Sequence, residues 1–165
     1  MRAIFHADRQ WGIGRENGLM FRLPFDMKFF RETTKGKVVV MGLNTLRSFP
    51  GGRPLKDRTN IVLCPDDVEG DVITVHNLDE LLAEVKKYPA DDVFVIGGAS
   101  VYKLLIPYCT EVLVTRVDTV GHADTFVPDL DEDDNFDLAS ESAPIEDNGY
   151  TIHFCTYKNL APVRF

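Results

Sequence analysis

The sequence predicts an α/β fold, a three-layer sandwich with a mostly parallel central sheet that closes on a C-terminal antiparallel hairpin. Three observations lead there. Short β-rich runs alternate with helical stretches over most of the chain. KVVVMG (37–42) and DDVFVIGG (91–98) are nearly continuous apolar runs, as strands covered on both faces are. The tail carries two β-rich runs, LASES (138–142) and YTIHFCTYK (150–158), which read as a hairpin at a sheet edge.

In chain order, RAIFHA (2–7) is the first strand. A helix at 25–35 follows Pro24, whose fixed φ and missing N–H suit a first helical turn. After the strand at 37–42 come a short helical piece at 44–48 and the turn-rich SFPGGRPLKDR. TNIVL (59–63) and DVITV (71–75) are two further strands. Asn77 with Glu80 three residues on resembles a capping box for a helix at 77–88, with Leu78, Leu81, Leu82 and Val85 on one face. The strand at 91–98 ends in a glycine pair and leads into the helix SVYKLLIPY. EVLVTRVD (111–118) is the last strand before the tail.

At 165 residues the chain reads as a single domain (1–165), able to bury roughly two thirds of its unfolded surface. Its net charge of −8, with no basic stripe, argues against a nucleic-acid partner. No apolar run approaches the ~20 residues of a membrane span, and MRAIFHADRQ breaks into charge too early for a signal peptide. Cys64, Cys109 and Cys155 are too widely spaced for a disulfide framework or a CxxC site, and read as reduced thiols of a cytoplasmic protein. DLDEDD (129–134) invites a calcium reading, but an EF-hand loop starting there would need Gly and Glu where Asp134 and Ser140 stand. Histidines 6, 76, 122 and 153 show no paired ligand spacing, so no metal is expected.

Three features point to a small-molecule site. In NGLMFRLPFDMKFF (17–30), Asp26 stands among apolar neighbours and shares a helix face with Phe30 and Thr33. The bland reading is a first-turn acid answering the helix dipole. The functional one is a carboxylate in apolar surroundings that pairs with a ligand bearing two donors. Gly97-Gly98, between a buried strand and a helix, is either a tight turn or a place where backbone N–H groups approach a phosphate. Neither GxGxxG nor GxxxxGK occurs. WGIGREN (11–17), with glycines at 12, 14 and 18, is built like a mobile lid.

In order and spacing, GIGREN (12–17), LPFDMKFF (23–30), MGLNT (41–45), RPLKDR (53–58), VIGGASVY (95–102), LVTRVD (113–118) and DTFVP (124–128) resemble the bacterial-type dihydrofolate reductase family over essentially the whole chain. The resemblance implies reduction of 7,8-dihydrofolate to tetrahydrofolate in one-carbon metabolism, with hydride passing from NADPH to pterin C6 and a proton to N5. Asp26 would grip the pterin, supported by Thr115, with Phe21 beside them as the third catalytic candidate. Ile4, Met27, Phe30 and Ile96 would line the substrate, and Arg58, with Arg31 and Arg53, would hold its glutamate tail. His6, Ile13, Gly14, Asn17, Gly18, Leu19, Asn44, Thr45, Cys64, Pro65, His76, Gly97, Gly98, Ala99, Ser100, Val101 and Tyr102 would line the cofactor. In the family the 97–98 peptide is cis, and Asp124 would tether the lid. Antifolate inhibitors are the other expected ligands, and a monomer is expected.

Three departures qualify the pattern. Met20-Phe21 replaces the usual Pro-Trp, removing an indole donor and implying a wetter site and slower turnover. Leu43, Pro65 and Ser100 stand where the family commonly binds the cofactor's 2′-phosphate, and Asp66 and Asp67 would repel it, so NADH use is an expectation. SFPGG is two residues longer than the shorter bacterial pattern. The nearest rival is a same-fold ribosylaminopyrimidine reductase, which Asp26 within LPFD and Arg58 disfavour. A catalytically silent folate-binding relative would bind methotrexate without dihydrofolate-dependent NADPH oxidation.

Overall fold

Six strands make the parallel part of the sheet, and their pairing follows from which residues need cover. In the computed structural model, which describes all 165 residues, β1 (Arg2–Ala7) lies between β6 (Val93–Gly97) and β7 (Glu111–Val117). Beyond β6 come β3 (Val38–Gly42), β4 (Thr59–Leu63) and β5 (Ile73–Val75), all parallel. Along β3 the period-two alternation sends Val38 and Val40 into the largest apolar cluster and Val39 and Met41 into a second cluster on the opposite face. That is why the run at 37–42 shows no polar alternation.

Helices complete the layers. Leu81 and Val85 of α3 (Leu78–Val85) and Val101, Tyr102 and Leu105 of α4 (Ala99–Leu105) join the larger cluster. Leu46 of α2 (Leu43–Ser48) joins the second. Asn77 caps α3 by accepting from Glu80 N, as its spacing predicts. The reciprocal half of the box is displaced by one residue, since the Glu80 carboxylate accepts from His76 N.

The closing hairpin is more elaborate than expected. β11 (Tyr150–Asn159) is not an edge strand. It runs antiparallel to β7 on one side, and its other side is shared end to end by β9 (Phe136–Glu141) and β10 (Ile145–Asp147). The expected lid also carries β2 (Gly12–Gly14), which pairs with β8 (Thr125–Phe126) in a two-stranded sheet. Both short pieces are made by distant partners, so local sequence gave little sign of them.

Cys64, Cys109 and Cys155 are free and buried, and burial pushes the Cys109 and Cys155 thiols up to about 12 and about 11. No helix is long and apolar enough to cross a membrane.

Candidate active site

α1 (Pro24–Thr34) is unusual in what it buries. Its only fully buried residues are Asp26 and Thr34, while Phe25 and Met27 are about half exposed. Asp26 does not answer the helix dipole with its side chain. That task falls to Asp147 at the end of β10, whose carboxylate accepts from Phe25 N (3.1 Å) and Asp26 N (3.0 Å). A cap supplied from over 120 residues away leaves the Asp26 carboxylate free to turn inward.

There it meets two strands. Thr115 Oγ1 on β7 donates to Oδ1 at 2.6 Å, and His6 Nδ1 on β1 lies 3.2 Å from Oδ2. His6 and Thr115 are cross-strand partners, so the β1–β7 register fixes the pair. No arginine or lysine pairs with Asp26. Phe21 is buried and packs against His6 (6.0 Å) and edge-on against Tyr150 (5.0 Å). The smaller ring is held inside an aromatic cluster, and it brings no indole donor to the site.

His6 ends β1 beside the carboxyl ends of the parallel strands β6, β3, β4 and β5, the edge at which open α/β sheets bind ligands. Tyr102 Oη donates to Ile4 O, two residues before His6. Gly97 sits on the same phenol. A Cβ there would meet Thr45 Oγ1 and the Tyr102 ring at 3.4 Å, and φ of +125° excludes other L residues without strain. The Gly97–Gly98 peptide is cis. α2 and α4 both begin after glycines, Gly42 and Gly98, with no side-chain cap, so their first N–H groups stay open to an anion. Leu43, Asn44, Thr45, Cys64, Pro65, Ile96, Ala99 and Ser100 lie at these strand ends. This cradle fits a dinucleotide.

Several of the expected cofactor residues are already engaged within the protein. Cys64, Val101 and Tyr102 are buried in core clusters, so their side chains are committed to packing. His76 is occupied on both ring nitrogens, with Nε2 2.6 Å from Asp67 Oδ1 and Nδ1 2.7 Å from Glu80 Oε2. These bonds, Asp67's first, raise His76 above the ordinary imidazole range. Its favourable contribution is complete below pH ~6.5 and is lost as pH rises through the higher folded value. We expect an NMR titration to show Asp67→Asn returning His76 toward the ordinary range.

Arg31, Arg53 and Arg58 have no carboxylate partner, although the chain carries a net charge of −8. Arg58 is held in place at the end of α1, donating to Thr34 Oγ1, Lys56 O and Arg31 O. A guanidinium without an acid partner can still receive a carboxylate as a paired, charge-assisted contact.

The lid holds Ile13 buried and leaves Asn17, Gly18 and Leu19 exposed. Asp124 Oδ2 accepts from Glu16 N, and Asp124 N donates to Gly14 O. The Glu16 N–H, ahead of the Thr125 hydroxyl, holds Asp124 below the usual carboxylate range. A hollow of about 330 Å³ lies elsewhere, between β7, β9 and β11. Arg9 pairs with Asp118 and Arg116 with Asp131 there, so its charges answer one another.

Sequence reasoning missed Asp8, Asp147 and the contact of His6 with Asp26. A histidine directly after the apolar run AIF (3–5) was the one available signal.

The dihydrofolate reductase family profile matches residues 1–159. Dihydrofolate reductase of Enterococcus faecium is 34% identical over 166 residues, covering 98% of each chain. That of Bacillus subtilis is 34% identical, covering 94% of this chain and 92% of the relative. A solved dihydrofolate reductase from Enterococcus faecalis, complexed with NADP(H) and RAB-propyl, superposes with a TM-score of 0.83 at 36% identity, covering 96% and 95% of the two chains.

Proposed function

The chain belongs to the dihydrofolate reductase family and is an NADPH-dependent oxidoreductase that reduces dihydrofolate, and from that premise we propose how its residues divide the work. The carrying observation is a buried carboxylate, Asp26, with a partner on each oxygen and lone pairs to spare. A pterin edge offers two N–H donors side by side, and Asp26 receives them as a bidentate, charge-assisted pair. Thr115 fixes the place of Oδ1. Phe21 and Ile4 wall the ring, Phe30 packs along the substrate, and Arg58, with Arg31 and Arg53, receives the glutamate carboxylate.

Bound NADPH supplies the hydride for C6, and N5 takes a proton. Asp26 does not deliver that proton directly. It favours the tautomer that accepts it and polarises water at the cluster, while the lid of residues 11–19 excludes bulk solvent.

We further propose relaxed choice between NADPH and NADH. Leu43, Pro65 and Ser100 bring no charge to the 2′-phosphate, and the His76 imidazole is already neutralised by Asp67 and Glu80. The deciding experiment measures dihydrofolate-dependent kcat/KM with both cofactors. We expect substantial activity with each, and a preference for NADPH above ~10³-fold, equivalent to ~4 kcal/mol of dedicated contacts, overturns relaxed specificity. Methotrexate binding without any dihydrofolate-dependent oxidation overturns the reductase assignment of these residues.

A further inference from the structure

His6 has more to do than line the cofactor crevice. It is buried, its Nδ1 lies 3.2 Å from Asp26 Oδ2, and its Nε2 is buried with no hydrogen-bond partner in the protein. For a neutral ring these facts favour one nitrogen as the carrier of the hydrogen. With Nδ1 bare, its lone pair would face a carboxylate lone pair, and Nε2–H would be a buried donor without an acceptor. With Nδ1–H, the ring donates to Asp26 and leaves only a lone pair unmet, the smaller penalty.

The consequence falls on Asp26. Two carboxylate oxygens offer about four lone-pair directions. Thr115 takes one on Oδ1 and His6 takes one on Oδ2. One remains on each oxygen, and because both oxygens are tied, the carboxylate plane cannot rotate about its last bond. We propose that His6 is a positioning residue for the substrate-binding acid, holding Asp26 Oδ2 so that its two free lone pairs face the same way, toward a planar ligand bearing adjacent N–H donors. This rests on the assignment of Asp26 to the pterin.

The distances rank the two anchors. The Thr115 contact at 2.6 Å is short for an O–H donor, while 3.2 Å is at the long end for N–H. Thr115 therefore sets the carboxylate's place, and His6 restrains its rotation. Phe21, the ring packed against His6, has no polar atom with which to do so.

The test pairs spectroscopy with two variants. In the wild-type protein without ligand, ¹⁵N shifts of the His6 ring are expected to show hydrogen on Nδ1 and none on Nε2. A neutral ring with its hydrogen on Nε2 overturns the proposal. His6→Phe keeps a ring but removes the donor, and is expected to weaken methotrexate and dihydrofolate binding and raise KM about tenfold, with a smaller change in kcat, the scale of one hydrogen bond to a charged group. His6→Asn restores a donor near the Nδ1 position and is expected to recover most of that loss. A merely structural role predicts lower melting temperatures for both variants without this split or rescue. His6→Phe binding both ligands like wild type overturns the proposal. An inactive wild type with the Nδ1–H ring intact instead counts against the reductase reading alone.

Discussion

Asp26→Asn is expected to lower turnover at neutral pH by about 10²-fold or more, the scale of general acid–base contributions. The side chain keeps its shape, so the loss must come from chemistry. An amide has one acceptor oxygen, and Thr115 Oγ1, 2.6 Å from Oδ1, still claims it. The amide nitrogen then faces the His6 nitrogen, now 3.2 Å from Oδ2, and the two N–H groups of the substrate edge, so donors meet donors. The negative charge that favours the productive tautomer is gone as well. Stability is expected to hold or rise, because a carboxylate buried without a lysine or arginine partner costs the fold more than it returns. Steady-state kinetics and a thermal melt together separate the outcomes. Turnover near wild type removes Asp26 from the mechanism, and turnover lost together with the fold would mean that the residue is structural.

The parallel sheet was readable because its signals are local. Continuous apolar runs, a proline at a helix start and an asparagine three residues before a glutamate each report on neighbours along the chain. TNIVL at 59–63 is a strand with those bounds, and Asn77 caps its helix. β2 and β8 were not readable, since each is two or three residues long and exists only through pairing with a distant segment. The three residues of β10 are too few to show a period of their own, although their partner lies just across the 148–149 turn.

The site divides in the same way. Asp26 drew notice because a carboxylate among phenylalanines needs an explanation, and Thr115 only because the motif resemblance placed it beside that acid. Why Asp26 escapes capping its own helix could not be read at all. The answer is Asp147, whose neighbours in IEDNGY look like nothing more than a turn. Motif resemblance placed His76 near the cofactor, but could not reveal that Asp67 and Glu80 already occupy its ring.

Asp8 makes the same point with the largest expected loss of stability. It is fully buried and unremarkable in sequence, yet Oδ1 accepts from Gln10 N (2.9 Å) and Gly12 N (2.8 Å), while Oδ2 accepts from Gly121 N (2.8 Å). One carboxylate thus closes the turn after β1 and pins the 119–123 segment to it. Gly121 has room for nothing larger, since a Cβ there would lie 2.6 Å from the Phe21 ring and 2.9 Å from the Met20 sulfur. Asp8→Ala strands three backbone donors, each worth about 1–3 kcal/mol when buried and unmet. Removing a buried charge offsets part of that, leaving a loss of about 3 kcal/mol and a melting point lower by about 6–12 °C for a domain of this size. Asp8→Asn divides the two jobs. Its oxygen can still close the 8–12 turn, but its amide nitrogen faces Gly121 N–H, so the turn survives and the pin to Phe21 does not. We therefore expect Asp8→Asn to melt between wild type and Asp8→Ala, with faster hydrogen exchange at Gly121 but not at Gly12. Equal protection at both amides in Asp8→Asn would mean that Asp8 does not couple the lid to the wall of the active site.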